Sequence, residues 1–583
     1  MQTIRVWAPI PKQVELALGE KRLPMKRGED GWWMAEVPSA KAGDDYGFRL
    51  DGEGPFPDPR SPWQPGGVHG LSRLVDHTAF PWNDAEFNAI PLSQAVIYEL
   101  HIGTFTPVGT FAAAIEKLDH LVQLGVTHVE LMPVNEFSGN HGWGYDGVDL
   151  FAPHHAYGRP DGLKRFVNAC HARGLAVLLD VVYNHLGPTG NYLGQFAPYF
   201  TNRYHTPWGA ALNFDGPHSD EVRRFFCDNA LMWLRDYHFD GLRLDAVHAI
   251  CDQSARPFLE QLGDEVKQLS QQTGRRLVVI AESDLNDPRL IWPRERGGFA
   301  LDAQWSDDFH HTLHSVLTGE RNGYYEDFGS LADLAKALRN AYAYDGNFSV
   351  HRRRSHGRPP TGLDGNRFLG YAQNHDQVGN RAQGERLSQL VSPGRLKIAA
   401  ALVFTSPFVP MLFQGEEWGA GTPFQYFTDH AEPDLAKAVR EGRRREFAAF
   451  GWKPEDVPDP QARETFERSK LNWSELQRAP HADLLDWHRR LIELRRSEPT
   501  LGDGRLDLVQ TRFDESARWF MLERGPITVA SNFSSQPQRV PLREGKRSIL
   551  LASDKEIELA GGGLNLPEDA VAILKHESQP STS

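Results

Sequence analysis

The side chains best suited to do chemistry lie in the stretch Gly241-Leu-Arg-Leu-Asp-Ala-Val-His248. In a short strand, Leu242 and Leu244 share one face while Arg243 and Asp245 share the other. An arginine and an aspartate can be buried in a core only as a pair. The neighbouring guanidinium favours the ionised carboxylate, which is the state that a nucleophile needs. The alternative interpretation is a structural ion pair in a buried sheet.

Similar polar groups follow other apolar runs of the chain. Carboxylates at several neighbouring strand ends repel each other. Such a set is therefore unfavourable unless a function compensates for the repulsion. One of them, Glu282, follows the apolar run 277–281, so burial is expected to raise its pKa and keep it protonated. An ionised and a protonated carboxyl together can perform nucleophilic and general acid chemistry. The residues of this set are Asp180, His185, Arg243, Asp245, His248, Glu282, His375, Asp376 and Glu417.

The elements that must position these residues divide into three predicted domains. Residues 1–90 have the short alternating strands and Gly, Pro and Asp turns of a β-sandwich. In residues 91–497, apolar strands alternate with amphipathic helices, which predicts a catalytic (β/α)₈ barrel with loop insertions. Residues 498–583 return to short strands and form a small β domain. The predicted barrel strands are 96–100, 126–132, 175–182, 241–245, 277–281, 299–305, 368–372 and 409–413.

Composition narrows the class of protein. A net charge of −14 over 583 residues argues against nucleic acid and anionic membranes as partners. There is no signal-peptide pattern and no run of 18 apolar residues. The three cysteines have neither metal nor CxxC spacing, which indicates free thiols in a reducing compartment. We therefore expect a cytoplasmic location, with no cofactor and no metal.

These stretches resemble the α-amylase superfamily of glycoside hydrolases and transglycosylases, whose motifs occur in the same order on a (β/α)₈ barrel. The resemblance implies that Asp245 is the nucleophile, Glu282 the general acid/base, and Asp376 the residue that grips substrate hydroxyls. It implies that Asp180, His185 and His375 contact the sugar in the cleaved subsite, that Tyr145 stacks on this sugar, and that Arg243 positions Asp245. The implied activity is retaining cleavage or transfer of α-glucosidic bonds.

The N-terminal β domain makes the chain more similar to branching enzymes, isoamylases and trehalohydrolases than to simple amylases. Amylases commonly follow the nucleophile with a Lys-His pair, whereas this chain has His248-Ala249. The contacts with the departing sugar must therefore differ. We predict that they come from His248, from the rim residues Asn380 and Arg381, and from the segment Asp307, Asp308, Phe309, His310, His311 and Thr312.

For this last segment two other interpretations remain. It can be a polar loop without ligand contacts, or its adjacent histidines can bind a metal. The metal interpretation is weak, because adjacent histidines do not share a helix face and no third ligand follows.

The stretches 58–70, 301–311, 373–387 and 415–430 resemble those of trehalohydrolases. This resemblance implies a small oligosaccharide substrate, malto-oligosyl trehalose, cleaved at the α-1,4 bond next to its terminal trehalose. Partner proteins are not indicated by the sequence. A glucan branching or debranching enzyme is the first alternative. A non-catalytic glucan-binding barrel is the second, although such relatives usually lack at least one of the three carboxylates.

Overall fold

The computed structural model describes residues 2–448 and 452–577. At its centre, eight parallel strands close into a barrel in which each strand pairs with the next along the chain. This confirms the predicted (β/α)₈ fold. The strands are β1 Ile97–Leu100, β2 His128–Leu131, β3 Ala176–Val181, β4 Gly241–Leu244, β5 Val278–Ala281, β6 Ala303–Trp305, β7 Phe368–Gly370 and β8 Val409–Phe413.

All residues of the eight strands are buried, as expected for strands enclosed by helices on the outside and by each other within. The sixth strand is shorter than predicted, because Ala300 has a left-handed backbone (φ 56°) that interrupts the extended run. The predicted helix 111–124 is divided in two at Glu116–Lys117. The longer helices around the barrel are Leu118–Leu124, Pro160–His171, Ser219–Asp236, Phe258–Thr273, Asp307–Thr318, Leu331–Asn340, Pro393–Thr405, Pro433–Ala448 and His481–Ser497.

Two sheets precede the barrel and two follow it. The first pair comprises Gln2–Trp7, Trp32–Val37 and Lys26–Arg27, and then Lys21–Pro24, Val14–Leu18, Asp45–Leu50, Glu53–Phe56 and Ser72–Arg73. The second pair comprises Val509–Asp514, Trp519–Arg524, Ile527–Asn532, Ala570–His576 and Arg547–Ala552, and then Gln538–Pro541, Gly563–Leu566 and Glu558–Ala560. The domain boundaries near residues 90 and 497 remain predictions, and residues 1 and 578–583 lie outside the described part of the chain.

Short antiparallel hairpins project from the barrel loops. They are Asn135–Glu136 with Asp149–Pro153, Phe200–Thr206 with Gly209–Leu212, and Asp345–Ser349 with Arg354–Gly357. The first belongs to the loop after β2 and brackets Tyr145. Among the described residues, no helix combines the length and the apolar character needed to cross a membrane.

Candidate active site

The carboxyl ends of β3, β4, β5 and β7 bring the predicted catalytic residues together at one mouth of the barrel. This follows from parallel pairing, because neighbouring strands end at the same edge. Asp180 lies beside Arg243 in the β3–β4 register, and Arg243 beside Ile280 in the β4–β5 register. Asp245 and Glu282 immediately follow β4 and β5, so their side chains project into the same space.

A single guanidinium organises the acidic groups. Arg243 is completely buried and donates through Nη1 to both carboxylate oxygens of Asp180, at 2.7 Å each. Through the same nitrogen it donates to Asp245 Oδ1 at 2.9 Å, and its Nη2 lies 3.0 Å from Glu282 Oε2. The face of the guanidinium rests on the Trp305 ring at 4.3 Å. Since one small planar group contacts three carboxyls, those carboxyls are held close to one another.

Asp245 is held by donors on both oxygens. Beside the contact with Arg243, its Oδ2 accepts a hydrogen bond from Asn184 Nδ2 at 2.7 Å. Asn184 also donates to the Asp245 main-chain carbonyl at 2.8 Å, which fixes the backbone that carries the side chain. Donors on both oxygens stabilise an ionised carboxylate and fix its direction.

Glu282 lies in a different environment. Its carboxylate accepts from the Ala246 amide at 2.6 Å, on the turn that follows the nucleophile candidate. Burial raises the pKa of Glu282 well above its usual value; Arg243 opposes this shift, while the charges of Asp245 and Asp376 add to it. The group therefore retains a proton at a pH where an ordinary glutamate is ionised, which is the state of a general acid.

The β7 loop supplies a second cluster, centred on His375. Its Nδ1 pairs with Glu99 Oε1 at 2.5 Å, and its amide donates to Glu99 Oε2 at 3.1 Å. Burial lowers the pKa of His375, but the charges of Asp376 and Glu99 outweigh it and bring the pKa to about 9. His375 is thus a cation at neutral pH. Asp376 follows at the N-terminus of helix His375–Gly379, where the cap Asn374 accepts from its amide at 2.9 Å.

Tyr145 connects the two clusters. Its hydroxyl lies 2.6 Å from Asp180 Oδ2 and 2.7 Å from His375 Nε2, and its ring stacks on the imidazole with centroids 5.3 Å apart. His185 contacts the same loop through a 3.1 Å interaction with the Tyr145 carbonyl. Its ring stacks on Trp208 at 4.4 Å, which places an aromatic surface at the rim.

The remaining rim candidates lie further out. His248 is exposed, with Nε2 at 3.9 Å from Asp284 Oδ1. Asn380 Nδ2 reaches Asp376 Oδ1 at 3.4 Å, while Arg381 forms a two-pronged ion pair with Glu320 at 2.8 and 2.9 Å. Asn380 and Arg381 both line a cavity of about 100 Å³ beside the site.

The segment 308–312 lies within helix Asp307–Thr318, and the structure buries all five of its residues. Asp308 accepts from the amides of Ala343 and Tyr344, both at 2.8 Å, and from Asn286 Nδ2 at 2.7 Å. Phe309 is fully buried and packs on Phe408, with ring centroids 5.2 Å apart.

The histidines and the threonine of this segment also contact protein atoms. His310 bonds to the Ala372 carbonyl and the Tyr325 hydroxyl, both at 2.8 Å. His311 packs against the Tyr324 ring at 5.1 Å, and Thr312 donates to the Phe309 carbonyl at 3.0 Å. The segment is therefore a buried part of a helix rather than a polar loop.

Sequence reasoning missed one residue that contributes to the site. Glu99 lies within the apolar strand β1. A charged residue inside an apolar run was the signal that could have revealed it. Asp307 is the first residue of the segment predicted to contact the departing sugar; its carboxylate accepts from the Tyr371 hydroxyl, and burial raises its pKa to about 7. Its charge adds to the raised pKa of Glu282.

The comparisons with known proteins agree with this geometry. The family described as "Alpha amylase, catalytic domain" matches residues 82–206, and a "Domain of unknown function (DUF3459)" matches residues 504–573. A crystal structure titled as a putative alpha amylase from Salmonella typhimurium superposes with a TM-score of 0.91 at 39% identity, covering 98% of this chain and 97% of that one. The fold and site therefore define a glycosidase of the α-amylase family.

Full-length relatives identify the particular family. A malto-oligosyltrehalose trehalohydrolase of Arthrobacter ramosus is 51% identical, over 98% of this chain and 99% of its own length. Another, from Mycobacterium tuberculosis, is 50% identical over 99% of both chains. The chain belongs to the malto-oligosyltrehalose trehalohydrolase family.

Proposed function

We propose that the chain hydrolyses the α-1,4-glucosidic bond next to the terminal trehalose of malto-oligosyl trehalose, releasing free trehalose and a malto-oligosaccharide. The observation that carries the proposal is the contact of one buried guanidinium, that of Arg243, with both Asp245 and Glu282. A retaining glycosidase requires two carboxyls about 5–5.5 Å apart, one ionised and one protonated. The full-length relatives named for this reaction support the choice of substrate.

In the first step, the Asp245 carboxylate attacks the anomeric carbon of the sugar that precedes the trehalose unit. Glu282 gives its proton to the glycosidic oxygen as the bond to carbon breaks, and trehalose leaves as a neutral alcohol. The glycosyl group stays bound to Asp245 as an ester. The retained proton of Glu282, which follows from its raised pKa, is what makes this step possible near neutral pH.

In the second step, Glu282 is ionised and acts as the base. It takes a proton from a water molecule, the water oxygen bonds to the anomeric carbon, and the Asp245 carboxylate departs. Two inversions give net retention. Arg243 stabilises the carboxylate form that Asp245 has before and after each cycle.

The other residues are proposed to hold the sugar. Asp376 and the cationic His375 bind hydroxyls of the sugar in the cleaved subsite, and Tyr145 stacks on its face. Asp180 and His185 complete this subsite. On the side of the departing trehalose, His248, Asn380 and Arg381 are the proposed contacts, because they are the rim candidates with access to the cleft. The buried residues 308–312 are proposed to support the site from beneath.

Product analysis on three substrates tests the proposal. Maltotriosyl trehalose, linear maltopentaose and amylopectin are each incubated with the protein and with Glu282→Gln as the inactive control. Rapid release of free trehalose from the first substrate, with slow cleavage of the others, is the expected result. Equal cleavage of maltopentaose refutes the trehalose specificity, and new branch points in amylopectin would instead indicate a branching enzyme.

We also propose a cytoplasmic location. The three cysteines, Cys170, Cys227 and Cys251, are all free thiols in the structure. Free thiols persist in reducing compartments.

A further inference from the structure

A second cluster of chemically capable side chains lies outside the catalytic mouth, at the base of the hairpin that follows β2. It consists of Glu136, His154 and His155, each of which offers one ligand atom within 4.8 Å of the others. Glu136 belongs to the first strand of the hairpin, and the two histidines directly follow the second strand, Asp149–Pro153. The cluster therefore joins the two ends of the loop that carries Tyr145.

The distances within the cluster suit shared ligation. His155 Nδ1 lies 2.6 Å from Glu136 Oε1, and His154 Nε2 lies 4.0 Å from the same oxygen. The side chains of Glu136 and His154 are fully buried, whereas that of His155 is 28% exposed and gives access from solvent. Ligands of one tetrahedral metal centre are about 3.3 Å apart. A bound ion would therefore lengthen the 2.6 Å contact with Glu136 Oε1 and shorten the 4.0 Å one, each by about 0.7 Å.

Two buried polar atoms here lack a partner. Within the described residues, neither His154 Nε2 nor Asp149 Oδ2 makes a hydrogen bond. Burying such atoms without partners is costly. Asp149 and Glu136 are both buried carboxyls, and in the same part of the chain no arginine or lysine approaches either of them within 4.0 Å. The cluster thus combines two buried carboxyls with an imidazole nitrogen that makes no hydrogen bond.

We propose that Glu136, His154 and His155 bind a divalent metal ion of the zinc type. Two imidazoles with one carboxylate favour zinc over calcium, which prefers six or more oxygen ligands. His155 would bind through Nδ1 and donate from Nε2 to Asn140 Oδ1, which lies 3.4 Å away and is the usual kind of outer partner. The exposed side leaves room for water as the fourth ligand.

Metal binding would displace one proton from the cluster and move another within His154. The proton between His155 and Glu136 leaves to solvent when the metal takes its place. At His154, Nδ1 accepts from the Ala156 amide over a long 3.2 Å bond, so the free side chain carries its proton on Nε2. Ligation through Nε2 moves that proton to Nδ1 and gives up the Ala156 bond, a cost that the metal bond offsets.

The metal would act on the active site through the loop between the ligands. Tyr145 lies in that loop, and its hydroxyl must remain between Asp180 and His375. A metal ion bound at both ends of this loop would reduce the motion of the loop in the protein without substrate. The three ligands are positioning residues, since none of them touches the proposed substrate.

Zinc binding is tested on the full chain without substrate, so the result does not depend on the proposed function. After chelator treatment and dialysis, the protein is titrated with Zn²⁺ alone and, separately, with Ca²⁺ alone. One equivalent of zinc bound per chain, with a melting temperature raised by about 2 °C or more, is expected, and calcium should have no effect. The variants His154→Ala and Glu136→Gln should lose the bound zinc and the thermal shift.

The exposed His205→Ala serves as the matched control and should bind zinc as the unmodified chain does. If the unmodified chain binds no zinc, the proposal is overturned regardless of how the variants fold. Zinc that remains in both His154→Ala and Glu136→Gln would place the metal elsewhere and equally overturn it. A thermal shift with calcium but not zinc would contradict the assigned metal class.

Discussion

The mouth of the barrel and helix Asp307–Thr318 carry similar polar residues but use them in opposite ways. At the mouth, Asp245 and Glu282 each follow a parallel strand, and both side chains contact Arg243. In the helix, consecutive residues point in different directions because the period is 3.6 residues. Asp307 is half-buried and its charge raises the pKa of Glu282, while residues 308–312 are buried against the rest of the protein. A polar residue at a strand end is therefore better evidence for a site than a polar run on a helix.

The largest expected effect is a loss of activity when Asp245 or Glu282, at the mouth of the barrel, is replaced. Asp245→Asn removes the proposed nucleophile, and Glu282→Gln removes the proposed general acid, a kind of group that typically contributes about 10²–10⁴-fold to the rate. We expect Glu282→Gln to lose activity within that range and Asp245→Asn to lose more, both with unchanged circular dichroism and melting temperature. Wild-type kcat in either variant would remove that residue from its role.

Phe309→Ala tests whether helix Asp307–Thr318 contributes to stability rather than to activity. Removing a fully buried phenylalanine leaves a cavity and costs about 3–5 kcal/mol of stability. The melting temperature should fall clearly, while the kcat/KM of the remaining folded protein stays within a few-fold of the original. A selective loss of kcat/KM at unchanged melting temperature would instead indicate a direct substrate contact.

Asp308→Asn should have a smaller effect of the same kind. The carboxylate accepts from two amides and one side-chain amide, and an asparagine retains only part of this capacity. Leaving a buried donor without an acceptor costs about 1–3 kcal/mol. Asp307→Asn is the matched variant one position earlier: it should spare stability and change the pH dependence of kcat, because its charge acts on Glu282.

The smallest effect concerns the histidine at the mouth. Glu99→Gln removes one of the charges that bring the pKa of His375 to about 9, so this pKa should decrease. A raised histidine pKa adds stability at low pH, and that contribution disappears as the pH rises through 9. In the variant it should disappear at lower pH. Titration of histidine-labelled protein by NMR measures the shift, and an unchanged pKa would show that Glu99 does not set it.

The barrel and the charged residues at its strand ends could be predicted from the sequence, because both leave patterns within short stretches of the chain. Apolar runs that end in Asp180, Asp245 and Glu282 indicated strands and placed their charged ends at one edge. The alternation of strands and helices then predicted the barrel. The contact of Arg243 with Glu282 was not predictable, since it depends on how β4 and β5 pair across the closed sheet.

Other features depend on tertiary packing and left weaker signals. The pairing of Glu99 with His375 joins residues 276 positions apart in the chain. The burial of residues 308–312 is decided by the surfaces that cover helix Asp307–Thr318, which a polar sequence does not reveal. Glu136, His154 and His155 come together only because a hairpin closes the loop around Tyr145.

The central claim is that Asp245 bonds to the sugar while Glu282 transfers the proton, so the configuration of the anomeric carbon is retained. An early NMR time course on maltotriosyl trehalose reports this configuration directly, before the released sugar equilibrates. The account predicts that the new reducing end of the malto-oligosaccharide appears first as the α-anomer. First appearance of the β-anomer would mean a single inversion by water and would contradict the role of Asp245.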